Sequence, residues 1–146
     1  MKEYRVKVYE DRTCWFNLEE LYHREDGPAV EWNDGAKSWY LNGKRHRIDG
    51  PAIEYSNGSK EWFINGLLHR EDGPAIEHID GSKAWYQYGK IHREDGPAVE
   101  GVSGTKYWYI NGEQLSEQEF NEMITLKRIN NKIVEIDGYK YKLIEI

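Results

Sequence analysis

The chain has 146 residues, of which 38% are hydrophobic and 14% aromatic, so it is long enough to form one packed domain. Its 26 acidic side chains outnumber the 20 basic ones, and the net charge of −6 disfavours binding to the phosphate backbone of nucleic acids. The acidic residues are interleaved with Lys and Arg, whereas a mimic of DNA is expected to carry a dense acidic run. The single Cys14 excludes an internal disulfide and fits a reducing compartment.

The N-terminal segment MKEYRVKVYEDR alternates charged and apolar residues. It has no continuous apolar core of the kind found in signal peptides, and no later stretch is long and apolar enough to cross a bilayer. We therefore expect a cytoplasmic protein that does not insert into membranes.

A ten-residue phrase, HREDGPAVEW in its first copy, recurs at a constant interval of 23 residues. The four copies begin at His23, His46, His69 and His92. A repeat of this length is typical of a stacked architecture. The sequence predicts a repeat array over residues 1–114, with a degenerate first unit at 1–22, followed by a C-terminal cap over 115–146.

Each unit has two short segments rich in β-branched and aromatic residues around a turn that ends in glycine, such as NDG before Ala36. This pattern predicts a β-hairpin. Glycine at the third turn position suits a three-residue loop, which needs a left-handed residue there. The predicted turn glycines are Gly35, Gly58, Gly81 and Gly104.

Turn length decides which side chains share a face. A two-residue turn would place Val30 opposite Trp39, whereas a three-residue turn places Glu31 opposite Lys37. Glu and Lys recur together at these positions in all four units, as opposed cross-strand pairs would, so we predict the three-residue turn. One face then carries the repeated Trp and Ala residues. The other, which we name the Val/Ile face, carries Val30 and its equivalents, the Tyr and Phe of the second strand, and the positions that vary most between units.

The stretch NGKRHRIDGPAIEYSNGSKEWFING resembles a MORN repeat in its period, its Asn-Gly turns and its aromatic second strand. The likeness spans roughly Trp15 to Gly112, although HRxDGPA stands where that family usually has a glycine-rich GxG stretch. The HREDGPA form also resembles short repeat proteins of tailed phages and bacteria. The resemblance implies a mainly β fold, a single-layer antiparallel sheet that mostly binds proteins and sometimes dimerises.

The segment LSEQEF predicts a helix start, with Ser116 as N-cap, Glu119 completing a capping box, and Leu115 with Phe120 as the hydrophobic staple. We expect this helix to run to about Lys127. The last residues, KIVEIDGYKYKLIEI, predict a hairpin around Asp137–Gly138. Together these elements would cover the last sheet edge.

The repeated His and Asp raise the possibility of a metal or acid–base site. Equivalent residues in successive hairpins should lie about 10 Å apart, too far to share one zinc ion. We therefore predict no metal and no cofactor, and a structural network instead. In it Asp hydrogen-bonds the backbone two residues on and fixes a turn, and Arg pairs with a carboxylate of the neighbouring unit or lies across an indole. Its members are His23, Arg24, Asp26, His46, Arg47, Asp49, His69, Arg70, Asp72, His92, Arg93 and Asp95.

No catalytic motif stands out, and an extended sheet with an aromatic, variable face favours a non-enzymatic protein-binding module. The resemblance to phage proteins implies a host protein, such as a defence factor, as the partner and inhibition as the outcome. The predicted partner-binding residues are Trp32, Tyr40, Tyr55, Phe63, His78, Tyr86 and Tyr109. The alternative is capture of a nucleotide or other small ligand between aromatic side chains, with arginines of the phrase as donors. A single-layer sheet with apolar residues on both faces cannot bury both, so the Val/Ile face should be covered by a second copy, by the C-terminal helix and hairpin, or by the target. Homodimerisation is the first expectation among these.

Overall fold

The computed structural model describes residues 3–130, 133–136 and 139–142. In chain order the elements are β1 Arg5–Val8, β2 Arg12–Phe16, β3 Val30–Trp32, β4 Lys37–Ser38, β5 Tyr40–Leu41, β6 Lys44–Arg45, β7 Ile53–Glu54, β8 Lys60–Glu61, β9 Phe63–Ile64, β10 Leu67–Leu68, β11 Ile76–Glu77, β12 Lys83–Ala84, β13 Tyr86–Gln87, β14 Lys90–Ile91, β15 Val99–Glu100, β16 Lys106–Ile110, β17 Glu113–Leu115, α1 Glu117–Asn130, β18 Ile133–Ile136 and β19 Tyr139–Lys142.

Eleven of these strands form one open antiparallel sheet, in the order β1-β2-β3-β4-β7-β8-β11-β12-β15-β16-β17. The predicted fold class is confirmed: the chain is mainly β, and a helix follows the repeat sheet. Each repeat contributes two neighbouring strands to the sheet. Equivalent positions in successive repeats therefore lie two strand spacings apart, or about 10 Å.

The register matches the three-residue turn. Glu31 pairs with Lys37 and Val30 with Ser38, and the same pairing recurs in the three later repeats. The Trp32 amide donates to the Ala36 carbonyl at 3.0 Å, which closes the loop over residues 33–35. The third loop residue, Gly35, has a φ of +93°, in the left-handed region that favours glycine. Because the register is right, the assignment of side chains to the two faces follows from it.

The first three repeats contain a second hairpin that we did not predict. In the first of them the backbone turns away from the main sheet at Trp39, and β5 pairs with β6 across Asn42 and Gly43. These two residues have φ values of +47° and +76°, as a two-residue type I′ turn requires. Trp39 stays tied to both parts, since its amide donates to the Ala52 carbonyl and its carbonyl accepts from the His46 amide.

Buried residues concentrate toward the N-terminal half of the array. The repeated alanines opposite the tryptophans, at positions 29, 52, 75 and 98, have no exposed surface. One core cluster joins Cys14, Phe16 and Val30, and a second joins Ala52, Ile53 and Phe63. Both clusters lie before the third copy of the phrase.

The array ends at α1, which contacts the last two strands of the sheet. The capping box is confirmed: the Glu119 amide donates to Ser116 Oγ, and the Ser116 amide donates to Glu119 Oε2 at 2.8 Å. Phe120 is buried, and the helix runs to Asn130, three residues beyond the predicted end. The strands of the final hairpin pair as expected, whereas its predicted turn at 137–138 lies outside the described residues.

Candidate functional site

The arginine of the phrase is held between an indole and a glycine. The guanidinium carbon of Arg47 lies 4.0 Å from the ring centre of Trp39, which belongs to the preceding repeat. A Cβ on Gly50 would lie 3.0 Å from that same carbon. Gly50 does not have a positive φ, so this position needs glycine because the guanidinium packs against its backbone. The equivalent stacked pairs are Arg24 on Trp15, Arg70 on Trp62 and Arg93 on Trp85, at 4.2, 4.0 and 3.8 Å.

The same guanidinium makes three hydrogen bonds within its own repeat. Nε of Arg47 donates to Asp49 Oδ1 at 3.1 Å, and Nη1 donates to the Pro51 carbonyl and to Glu54 Oε1. The arginine side chain is 23% exposed, so these charge-assisted bonds are partly shielded from water. The hydrogen bond from Arg47 lowers the pKa of the Asp49 carboxyl.

These contacts change two details of the predicted network. We expected Asp49 to bond to the backbone two residues on, but that residue is Pro51, which has no N–H to donate. The carboxylate instead accepts from Arg47. We also allowed for arginine pairing with a neighbouring repeat. The ion pairs of the phrase arginines lie inside their own repeats, and only the indole comes from the preceding one.

The histidine of the phrase holds the tight turn near the end of its own repeat, which closes the second hairpin in the first three repeats and joins β16 to β17 in the fourth. Nδ1 of His92 accepts from the Asn111 amide at 3.0 Å, and Asn111 is the left-handed residue that opens its turn. His92 is only 7% exposed. Because Nδ1 is an acceptor, the neutral ring carries its proton on Nε2. The same bond links His23 to Asn42, His46 to Asn65 and His69 to Tyr88.

The contacts of the phrase residues serve to stabilise the fold. Each repeat uses its His, Arg, Asp, Gly, Pro and Ala in contacts that connect the main sheet, the second hairpin and the preceding repeat. Within the part of the chain that the structure describes, no three His, Cys, Asp or Glu side chains are placed to hold a metal ion.

A row of three clefts runs between successive copies of the phrase. Their volumes are about 490, 770 and 700 Å³ in chain order. Residues 47–49 form a wall shared by the first two clefts, and residues 70–72 form a wall shared by the last two. The arginines and tryptophans that line these clefts already contact each other. The clefts are therefore a consequence of the repeated network.

The aliphatic centre of the Val/Ile face is covered over the first two repeats. Val30 and Ile53 are each only 3% exposed, and Phe63 is 8% exposed. The guanidinium of Arg45 lies 5.3 Å from the Phe63 ring centre. Phe63, which we predicted as a partner contact, belongs to a core cluster of the chain with Ala52 and Ile53.

The same face is more open over the last two repeats. Ile76 and Val99, which correspond to Val30 and Ile53, are only half-buried. Tyr107 is 44% exposed, and Gly101 has no side chain with which to cover its neighbours. Of the other predicted contact residues, Tyr55 and His78 are exposed, whereas those at positions 32, 40, 86 and 109 are half-buried.

Sequence reasoning missed Arg45. It lies on the Val/Ile face, whereas the arginines of the phrase, which the small-ligand alternative takes as donors, contact the tryptophans of the opposite face. A signal was present in the repeat alignment: the residues equivalent to Arg45 are Leu68, Ile91 and Gln114, so its charge is unique at this position.

Comparison with protein-family models and with curated protein sequences finds no match to this chain. Among the described residues, no helix is long and apolar enough to cross a membrane.

Proposed function

We propose that this chain is a non-enzymatic protein-binding module of the MORN-like kind, and that its partner docks on the C-terminal half of the Val/Ile face. We name this surface the open patch; it consists of Ile76, Tyr86, Val99, Tyr107 and Tyr109. The observation that carries the proposal is the contrast in burial along one face. Val30 and Ile53 are covered by the chain's own side chains, whereas the corresponding Ile76 and Val99 are partly exposed.

The composition of the open patch suits protein recognition. Exposed aromatic side chains beside aliphatic ones contribute much of the binding free energy in protein interfaces, and tyrosine is enriched among the residues that dominate it. A contiguous apolar surface on a folded domain commonly marks an interaction site. The charged side chains of the phrase contact one another, so the variable positions of the array are the ones left to define specificity.

Charge favours a partner of another kind over a second copy. The net charge is −6, so two copies repel each other on average, whereas a protein with basic residues around an apolar centre is attracted. The resemblance to phage repeat proteins supports a narrower form of the proposal. In this form the chain acts in the cytoplasm, and its partner is a host protein that it inhibits, such as a defence factor.

The test is capture from a lysate with two matched variants. The tagged full chain is expected to retain one protein in stoichiometric amount, and Tyr107→Ala should weaken that binding about tenfold or more. Tyr9→Ala is the control, because Tyr9 is 43% exposed, close to the 44% of Tyr107, but lies beside β1. Equal capture by both variants would count against the open patch.

Sedimentation of the pure chain distinguishes the second candidate occupant. If the open patch is an interface between two copies, the chain sediments as a dimer and Tyr107→Ala shifts it toward monomer. A chain that remains monomeric at high concentration leaves the patch free for a different protein.

A further inference from the structure

A small pocket lies on the closed, N-terminal half of the Val/Ile face, away from the open patch. Its volume is about 260 Å³. Drug-sized ligands usually occupy sites of about 300 Å³ or more, so this pocket suits a smaller molecule. It is lined by Trp32, Asp34, Ala36, Ser38, Arg45, Ile53 and Tyr55.

Two aromatic side chains form opposite walls of this pocket. Trp32 ends β3 and Tyr55 follows β7, and the intervening strand β4 separates them in the sheet. Their backbones are therefore about 10 Å apart. One planar group packed between two rings needs about 7–8 Å between those rings, since carbon atoms in contact are about 3.5–4 Å apart. Rings that stand on alternate strands can enclose one planar group by leaning slightly inward.

The floor of the pocket is made of small side chains. In the register of the sheet Ala36 lies between Trp32 and Tyr55, and Ser38, which is 2% exposed, lies on β4 between Val30 and Ile53. In the next repeat the equivalent residue is Glu61, whose carboxylate accepts a hydrogen bond from the Tyr55 hydroxyl at 2.9 Å. A glutamate therefore occupies the corresponding space there. This contact directs the Tyr55 hydroxyl toward β8, on the side away from Trp32, so the gap between the two aromatic residues stays open.

Arg45 supplies a positive charge beside the pocket. Its Nε donates to the Tyr40 hydroxyl at 3.3 Å, and its guanidinium lies over Phe63. The arginines of the phrase each pair with two carboxylates, whereas none of the described carboxylates forms an ion pair with Arg45. A guanidinium beside a largely apolar pocket attracts a carboxylate or phosphate oxygen. The Asp34 carboxylate also lines the pocket, where it accepts a hydrogen bond from the Ala36 amide at 2.9 Å.

The other repeats lack this combination. Position 78 is a histidine and position 101 a glycine, so no later gap has a Trp or Tyr on both sides. Leu68 and Ile91 replace the arginine. The pocket thus arises where three variable positions of the array coincide: an aromatic wall, a small floor residue and a cation.

We infer that this pocket binds a small planar aromatic anion, with the ring between Trp32 and Tyr55 and the anionic group on Arg45. The carboxylate of an aromatic acid and the phosphate of a mononucleotide provide the same chemistry. This site is independent of the protein-binding proposal, because its residues and those of the open patch do not overlap.

Calorimetric titration of the full chain tests this inference with four probes. Indole-3-carboxylate and adenosine monophosphate carry the anionic group, and indole and adenosine are their neutral counterparts. At least one anionic probe is expected to bind at millimolar concentration or below. Arg45→Gln should weaken that binding about tenfold without changing the affinity for the neutral counterpart, as loss of a charge-assisted contact would.

Two further variants complete the test. Lys44→Gln is the matched control, because Lys44 is the exposed cation next to Arg45 and does not line the pocket. It should bind the anionic probe as the parent chain does. Tyr55→Leu removes an exposed wall and should weaken both the anionic and the neutral member of the pair. Absence of binding by all four probes would overturn the inference, and so would an Arg45→Gln variant that binds the anion as tightly as the parent. If only one of the two anionic probes binds, that result shows whether an aromatic carboxylate or a mononucleotide fits the pocket.

Discussion

Gly50 and Arg47 occupy mutually dependent positions: the guanidinium of Arg47 lies so close to the Gly50 backbone that a Cβ there would be 3.0 Å from its central carbon. The opposite side of that guanidinium faces the indole of Trp39. The glycine, the arginine and the tryptophan thus form one packed unit that repeats along the array.

Gly50→Ala is expected to displace the guanidinium from the indole and from its carboxylates. The loss of a cation–π contact and of charge-assisted hydrogen bonds should lower the free energy of unfolding by about 1–3 kcal/mol. Urea unfolding measures this change. Gly101→Ala is the control, because a Cβ there would make only an ordinary contact of 3.5 Å with Thr105.

A double-mutant cycle tests whether the two residues are coupled. In a chain that already carries Arg47→Ala, the added Gly50→Ala substitution should cost little, since there is no guanidinium left to displace. If the two substitutions lower the free energy of unfolding by strictly additive amounts, Gly50 is needed for a reason other than its contact with Arg47.

Acid should weaken the network. Hydrogen bonds from Arg47 and Arg70 lower the pKa values of Asp49 and Asp72 in the folded chain. A carboxyl with a lower pKa in the folded state contributes stability that is present above its unfolded pKa of about 3.9 and is lost as pH falls through the folded value. The urea midpoint should therefore decrease below about pH 4. The Asp49→Asn and Asp72→Asn double variant should show a shallower decrease, and an unchanged pH profile would contradict the assigned role of these pairs.

Two aromatic residues at equivalent positions should respond differently to the same substitution. Phe63→Ser removes a residue of a core cluster and should destabilise the chain by about 3–5 kcal/mol. Tyr86→Ser, one repeat later, affects a half-buried side chain and should cost much less, while weakening partner capture. Thermal unfolding of the two variants checks this difference. Equal destabilisation would mean that the face is closed along its whole length.

The cap of α1 provides a prediction outside the array. Glu119→Ala removes the carboxylate that accepts from the Ser116 amide and hydroxyl. The variant is expected to have a lower free energy of unfolding than the parent chain. Glu122→Ala is a suitable comparison within the same helix, because Glu122 lies beyond the first turn and accepts only from the Gln118 side chain.

The regular part of the fold was predictable because local chemistry repeats four times. The recurrence of Glu31 with Lys37 led to the correct register, and the glycine of NDG led to the correct loop. The prediction that Glu31 pairs with Lys37 was right, but it missed a second partner of the Glu31 carboxylate. The Glu31 carboxylate accepts from Arg24, which is seven residues away in the chain, so cross-strand opposition was only part of its environment.

Other features required three-dimensional information. The Asn42–Gly43 pair is a strong signal for a tight hairpin, but the adjoining strands are two residues long, too short to be distinguished from a continuation of the main sheet. The pocket beside Arg45 depends on side chains from β3, β4, β6 and the end of β7, and its walls become neighbours only once the strand order is known. The difference between the two halves of the Val/Ile face likewise depends on which side chains fold over it.

The central claim is that the repeated phrase is a structural device used in the same way in each repeat. The most direct test is the free energy of unfolding of three single variants, Arg47→Lys, Arg70→Lys and Arg93→Lys, compared with Arg5→Lys on the exposed first strand. Lysine keeps the charge but cannot reproduce the planar stacking and the forked hydrogen bonds. Each of the three should lose a similar amount, about 1–3 kcal/mol, while Arg5→Lys loses almost nothing. The claim would be contradicted if one of the three kept its full stability and yet lost partner capture, because that arginine would then serve binding rather than the fold.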